Sequence, residues 1–225
     1  MSHPTPASIF RPSAGGLCVN TADFTDPTAR YQLLIQSYVP RPIAWVLTEN
    51  ESGSYNLAPF SYSAVVDHSP PTLMFSCGMR REDQSQKKDT WANLLRTGYC
   101  VVHIPSVANI EAVNNSGAPL PHGTSEVDAF NIPTTPFEGF PLPRVTAAPV
   151  AYGCRLKEAV ELGSVPMGLM LVDIEKFFVT TGAVTGQEGE LLHLDESKID
   201  PLTRLGKTKY GTLGKLLDIG HPPRA

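Results

Sequence analysis

The chain has no excess of positive charge: 18 Lys and Arg against 22 Asp and Glu leave −4 at pH 7. It therefore lacks the counterion-displacing surface with which proteins hold nucleic acid. Arg80, Arg81, Lys87 and Lys88 do cluster, but Glu82 and Asp83 interrupt them. No apolar run approaches bilayer-spanning length, and the first 30 residues hold no signal-peptide core, so a membrane role is not expected. The four cysteines, Cys18, Cys77, Cys100 and Cys154, are far apart with no C-x-x-C pair. They read as free thiols in a reducing compartment, and a soluble cytoplasmic protein is expected.

Catalytic signatures are equally scarce. There is no H-E-x-x-H, and the six histidines are scattered, so no metal site is expected. Neither a G-x-S-x-G elbow nor a G-x-x-x-x-G-K-[ST] loop occurs, and Gly182, Gly186 and Gly189 are wrongly spaced for G-x-G-x-x-G. A chain without acid, base or nucleophile motifs suits an enzyme whose cofactor carries the chemistry, leaving the protein to bind and orient it.

What is present is strand-rich. With 225 residues and 41% hydrophobic content, one core is expected, in a domain over residues 25–225 behind a loosely attached arm at 1–24. Asp26-Pro27 opens a short helix whose Tyr31, Leu34 and Ile35 share a face. Strands are predicted over Ile43–Thr48, Asn56–Val66, Thr72–Cys77, Tyr99–Ile104, Val150–Glu161 and Gly168–Thr181, with a short one at Leu191–Leu194. Lys88–Arg96 reads as a helix capped by Asp89 or Thr90 and closed by Gly98, and a second helix runs from Ser106 to Asn114. Seven prolines punctuate residues 117–149, a long excursion expected to cover a site or a subunit contact, with one helical turn near Val127–Phe130. Strand count and turn spacing favour a mainly β fold, an antiparallel barrel whose closure removes exposed edges.

Three segments carry chemistry. Lys88-Asp89-Thr90 offers an ammonium, a hydroxyl and the unpaired amides of a helix start, a cradle for a phosphate, although an ordinary capped helix reads the same way. In Asn56-Leu57-Ala58-Pro59-Phe60-Ser61-Tyr62, Pro59 denies a ladder bond in mid-strand, so that backbone lies at an edge, a bulge or an opening. Ser61 and Ser63 alternate with Phe60 and Tyr62, one face polar and the other aromatic. Trp45 either lines a ring pocket or belongs to the core. A flat ligand with a phosphate tail, flavin mononucleotide (FMN), meets these features.

On these residues the chain resembles the flavin reductase-like proteins with the FMN-binding split barrel, including the flavoredoxin type. The resemblance spans roughly Tyr31–Tyr210 and rests on Pro40-Arg41-Pro42-Ile43-Ala44-Trp45-Val46, the Asn56–Tyr62 run, Pro70-Pro71 with Met74-Phe75-Ser76, Lys88-Asp89-Thr90, and Arg204-Leu205-Gly206 with Tyr210. It implies a homodimer with FMN at the subunit interface. Asn56, Leu57, Ala58, Pro59, Ser61, Tyr62 and Ser63 would face the ring and ribityl chain, Lys88, Asp89 and Thr90 would hold the phosphate, and Ser76 would make a lesser contact. Arg204 and Tyr210 would reach the partner's site or a nicotinamide nucleotide. The implied activity is hydride transfer from NAD(P)H to flavin and on to a flavin or protein acceptor. The alternatives are an FMN electron carrier reduced by a partner protein, or a barrel without flavin. The chain departs from the family at Ser63-Ala64, where Phe-Asn is frequent, and at Asp67-His68-Ser69 in place of Ser-Ser-Asp. Ala64 thus lacks one side-chain amide.

Overall fold

The computed structural model describes residues 9–220. Its centre is a seven-stranded antiparallel sheet of β1 (Ala44–Glu49), β2 (Tyr55–Phe60), β3 (Ser63–His68), β4 (Pro71–Gly78), β5 (Tyr99–Ile104), β6 (Val150–Leu162) and β7 (Met167–Val179). The order across the sheet is β2-β1-β5-β6-β7-β4-β3. Its two edge strands, β2 and β3, are consecutive in the chain and separated only by Ser61 and Tyr62. Strands lie ~4.8 Å apart, so this link cannot cross a flat sheet of that width. The sheet must curl to bring its two edges together at this corner, and Ser76 of β4 donates its backbone N–H to the Tyr62 carbonyl at 2.9 Å, which carries the β3–β4 ladder one residue into the corner. The fold is mainly β, a split barrel with few helices, as the strand pattern predicts.

The expected single strand Asn56–Val66 is two strands with a corner. Leu57 N–H points away from β1, toward Glu126, and the period of two puts the Pro59 nitrogen on the same outward side, where no ladder bond is lost. Of the possibilities for Pro59, an edge is the one realised.

The helices are α1 (Pro27–Ser37), α2 (Asp89–Thr97), α3 (Ile110–Asn115), α4 (Glu126–Ala129) and α5 (Glu196–Ile199). A 3₁₀ turn, capped by a Ser106–Asn109 box, leads into α3, and Gly98 ends α2 at φ 77° in the left-handed region, as predicted. Among the described residues no helix is long and apolar enough to cross a membrane.

Alternation along the strands divides the core in two. Ala44, Val46, Phe60, Phe75, Cys100, Cys154 and Met170 fill the barrel, plugged by Trp91 and Leu94 of α2. Ile43, Trp45, Leu47, Leu57 and Val101 point to the other face and are covered by Val127, Ile132, Phe137, Leu142 and Val145 of the proline-rich excursion. That segment's job is to bury a sheet face, because α2 already occupies the interior.

Of the described residues, 9–39 with Leu205–Lys209 form one compact unit, and Pro40–Arg204 with 210–220 form another. In the first, Arg11–Ser13 and Gly16–Cys18 pair as a hairpin where a structureless arm is expected; residues 1–8 of that arm lie outside the described residues. Asp26 caps α1 by accepting Thr28 N–H at 2.8 Å. Of the predicted face only Ile35 is buried, Tyr31 and Leu34 staying exposed. In the second unit, Leu191–Leu194 pairs with Val184–Glu188.

Candidate functional site

Two segments far apart in sequence meet at the start of α2. Asn56 points inward from β2, and its amide nitrogen donates to Thr90 Oγ1 at 2.9 Å and to Thr48 Oγ1 at 3.1 Å. Asn56 and Thr90 are 3% and 1% exposed, so this polar link is desolvated and costly to break. Lys88 N–H approaches the Gly78 carbonyl at 3.4 Å, which sets the start of α2 against the end of β4, two residues beyond Ser76. Ser76 in turn holds the Tyr62 carbonyl at the corner between β2 and β3. Ala58, Pro59, Ser61, Tyr62, Ser63 and Ser76 are half-buried and Lys88 is exposed. The corner after β2, the end of β4 and the start of α2 thus form one hydrogen-bonded rim.

Asp89 does not cap α2. Its carboxylate turns inward, accepting Arg80 Nη1 at 3.2 and 3.3 Å, Gly123 N–H at 3.3 Å, and His122 Nδ1. The N-cap is Lys88, which makes no side-chain cap bond. Trp91 N–H donates to the Lys88 carbonyl at 2.9 Å, which leaves the Asp89 and Thr90 amides as the donors of the first turn, with an exposed lysine before them and the nearby acid paired with Arg80. An anion fits such a helix start. Thr90 offers only its backbone, because its hydroxyl is buried against Asn56.

Trp45 does not line the opening. It points to the outer face of β1, is 0% exposed, and donates Nε1–H to Ser116 Oγ at 2.8 Å. Leu57 likewise buries its side chain in the outer core and reaches the rim only through backbone. Arg204 and Tyr210 come together, the guanidinium 4.4 Å from the ring centroid. They are linked to the corner through Arg41, which pairs with Arg204 in register and donates Nε–H to Ser61 Oγ at 3.2 Å.

A family model for the flavin reductase like domain matches residues 36–197. The chain belongs to the flavin reductase-like family. An uncharacterized protein of Halalkalibacterium halodurans is 30% identical over 195 residues, 85% of this chain and 90% of that one. Nitrilotriacetate monooxygenase component B from Bacillus cereus superposes with a TM-score of 0.83 at 28% identity, over 92% of this chain and 100% of the other. Flavoredoxin of Desulfovibrio vulgaris shares the fold, with a TM-score of 0.66 at 18% identity over 80% and 90% of the two chains.

Sequence reasoning missed Arg41, Arg80, His122 and Glu126. Arg41 lies inside a quoted motif, yet nothing local shows that it reaches Ser61. Glu126 is 6% exposed, and burial pushes its carboxyl up to about 7 even though Leu57 N–H favours the charged form. Cys77 beside Lys88 is not a nucleophile, since burial pushes its thiol up to about 12 despite the neighbouring ammonium, and such a thiol is inert. His103 is fully buried between two strands' worth of backbone. Val145 N–H donates to its Nε2 at 2.9 Å, which leaves Nδ1–H to donate to the Trp45 carbonyl at 2.8 Å. Burial drives its pKa down to about 4, so it is a neutral core group.

Proposed function

We propose that this family member is an FMN-dependent oxidoreductase that takes hydride from NAD(P)H and delivers electrons to a second flavin or a partner protein. The observation that carries the reading is the 2.9 Å bond from Asn56 to Thr90, which brings the strand expected at the flavin ring to the helix start expected at its phosphate. Lys88 and the first-turn amides of α2 would hold the phosphate. Backbone of Ala58 to Ser63, with Ser76, would meet the isoalloxazine. A bound flavin supplies the hydride acceptor and the onward electron carrier; the residues here bind it, orient it and exclude water.

A second copy of the chain completes the site in this reading. Edge strand β3 leaves Val65 and Val66 75% and 54% exposed beside the corner, an apolar edge of the kind that a symmetric partner covers. The likeness to one component of a monooxygenase supports an acceptor that consumes reduced flavin.

The test is an anaerobic visible spectrum of purified protein before and after each nucleotide. A yellow protein bleached by NADH or NADPH supports the reading. Colour that neither nucleotide bleaches leaves an electron carrier, and a colourless protein that does not quench added FMN fluorescence removes flavin altogether.

A further inference from the structure

The open edge of β2 is sealed over part of its length by side chains. At Tyr55 and Leu57 the backbone faces away from β1, and in a fully closed barrel a next strand would meet it with one donor and one acceptor. Here Ser125 Oγ donates to the Tyr55 carbonyl at 2.7 Å, and Glu126 Oε2 accepts Leu57 N–H at 2.9 Å. The two residues are adjacent at the start of α4, where Ser125 also accepts Asp128 N–H at 3.1 Å, and both are 6% exposed. Beyond them comes Pro59, which has no N–H to seal. The edge is thus sealed by side chains at Tyr55 and Leu57, and at Pro59 it has no N–H left to seal.

We propose that Ser125 and Glu126 replace the missing strand and hold the Asn56–Pro59 backbone where it meets the cofactor, which makes Glu126 a positioning residue for flavin binding. This rests on the reading of Asn56–Ser63 as the flavin wall. Packing alone does not account for a carboxylate here, since a buried acid is costly unless a donor needs it. The charged groups facing it are Asp89 of α2 and Arg80 from the segment after β4, and Arg80 already serves Asp89, Glu82 and the Leu120 carbonyl. The bond Glu126 makes to another element is the one to Leu57. With its carboxyl raised to about 7 by burial, that bond passes from neutral to charge-assisted as pH rises through neutrality.

The experiment uses the full chain with Glu126→Gln, Glu126→Ala and Ser125→Ala, FMN fluorescence titration, and the Leu57 amide proton followed by NMR. In the wild type the Leu57 amide proton should shift with a midpoint near pH 7, and in Glu126→Gln that titration should vanish while FMN affinity stays within about threefold, because an acceptor oxygen remains. Glu126→Ala should expose the Leu57 amide to exchange and weaken FMN by about tenfold or more. Ser125→Ala, which removes the bond to Tyr55 together with the α4 cap bond from Asp128 N–H, should weaken FMN by about two- to fivefold and stands in if Glu126→Ala does not fold. Wild-type FMN affinity in a folded variant that has lost Leu57 protection overturns the proposal and leaves the flavin reading intact. A wild type that binds no FMN overturns both.

Discussion

Asn56 and Thr90 share one desolvated hydrogen bond, 2.9 Å from amide nitrogen to hydroxyl oxygen, and it ties the edge strand of the barrel to the first turn of α2. The chain from Thr90 to Thr48 to Asn93 to Asn50 is continuous: Asn56 donates to Thr90 and Thr48, and Asn93 donates to Thr48 and Asn50. Positioning of the rim therefore depends on a buried polar network more than on any exposed residue.

Asn56→Leu removes two donors and leaves both threonine hydroxyls buried without them. We expect a loss of about 1–3 kcal/mol in urea unfolding and FMN affinity reduced by about tenfold. Unchanged binding in a folded variant would detach this network from the site.

Lys88→Ala should behave differently. The side chain is exposed and makes no cap bond, so the unfolding midpoint should stay put while FMN affinity falls about tenfold and becomes less salt-sensitive. Riboflavin, which has no phosphate, should bind both proteins alike. Equal losses for the two ligands would place Lys88 away from the phosphate.

Gly168→Ala tests the plug. A Cβ there would stand 2.3 Å from Met170 Cε and 2.7 Å from Trp91 Cε2, against a Trp91 that is 1% exposed. Overpacking of this kind costs about 1–3 kcal/mol, read by denaturation and by a changed tryptophan emission spectrum. A neutral substitution would mean that α2 is free to shift.

Two buried groups oppose each other in the pH dependence of stability. Folded His103 takes its proton only near pH 4 instead of 6.5, so protons favour the unfolded chain and stability is lost as pH falls from 6.5 towards 4. Folded Glu126 keeps its proton up to about 7 instead of 4.5, so its contribution is full below 4.5 and lost as pH rises through 7. Each amounts to on the order of 3 kcal/mol, and the slopes largely cancel where the windows overlap. Glu126→Gln removes one of them, so its stability relative to wild type should climb between pH 4.5 and 7. A difference that does not vary with pH would show that Glu126 is not the buried acid described.

Element identities were readable along the chain wherever local physics decides them. Asp26-Pro27 starts α1, Gly98 ends α2, and the strand segments of the sheet are marked by their apolar patterns, because caps, φ preferences and side-chain period act over a few residues. The corner at Ser61-Tyr62 was hidden, since two strands in series and one long strand carry the same alternation until the sheet curls. Trp45 could not be assigned, because β1 is buried on both faces and its pattern does not say which face meets α2.

By itself the sequence determined a β-rich chain of the flavin reductase-like family, with Pro59 barred from an inner ladder and a cation at a helix start. Only the tertiary structure decided that Asp89 serves Arg80 and His122 instead of capping α2, that Arg41 reaches Ser61, and that Ser125 and Glu126 seal the edge of β2. Those partners lie up to 69 or 70 residues apart, as Glu126 from Leu57 and Ser125 from Tyr55. A side chain's choice among several available partners is settled by which of them chain closure and desolvation bring within reach.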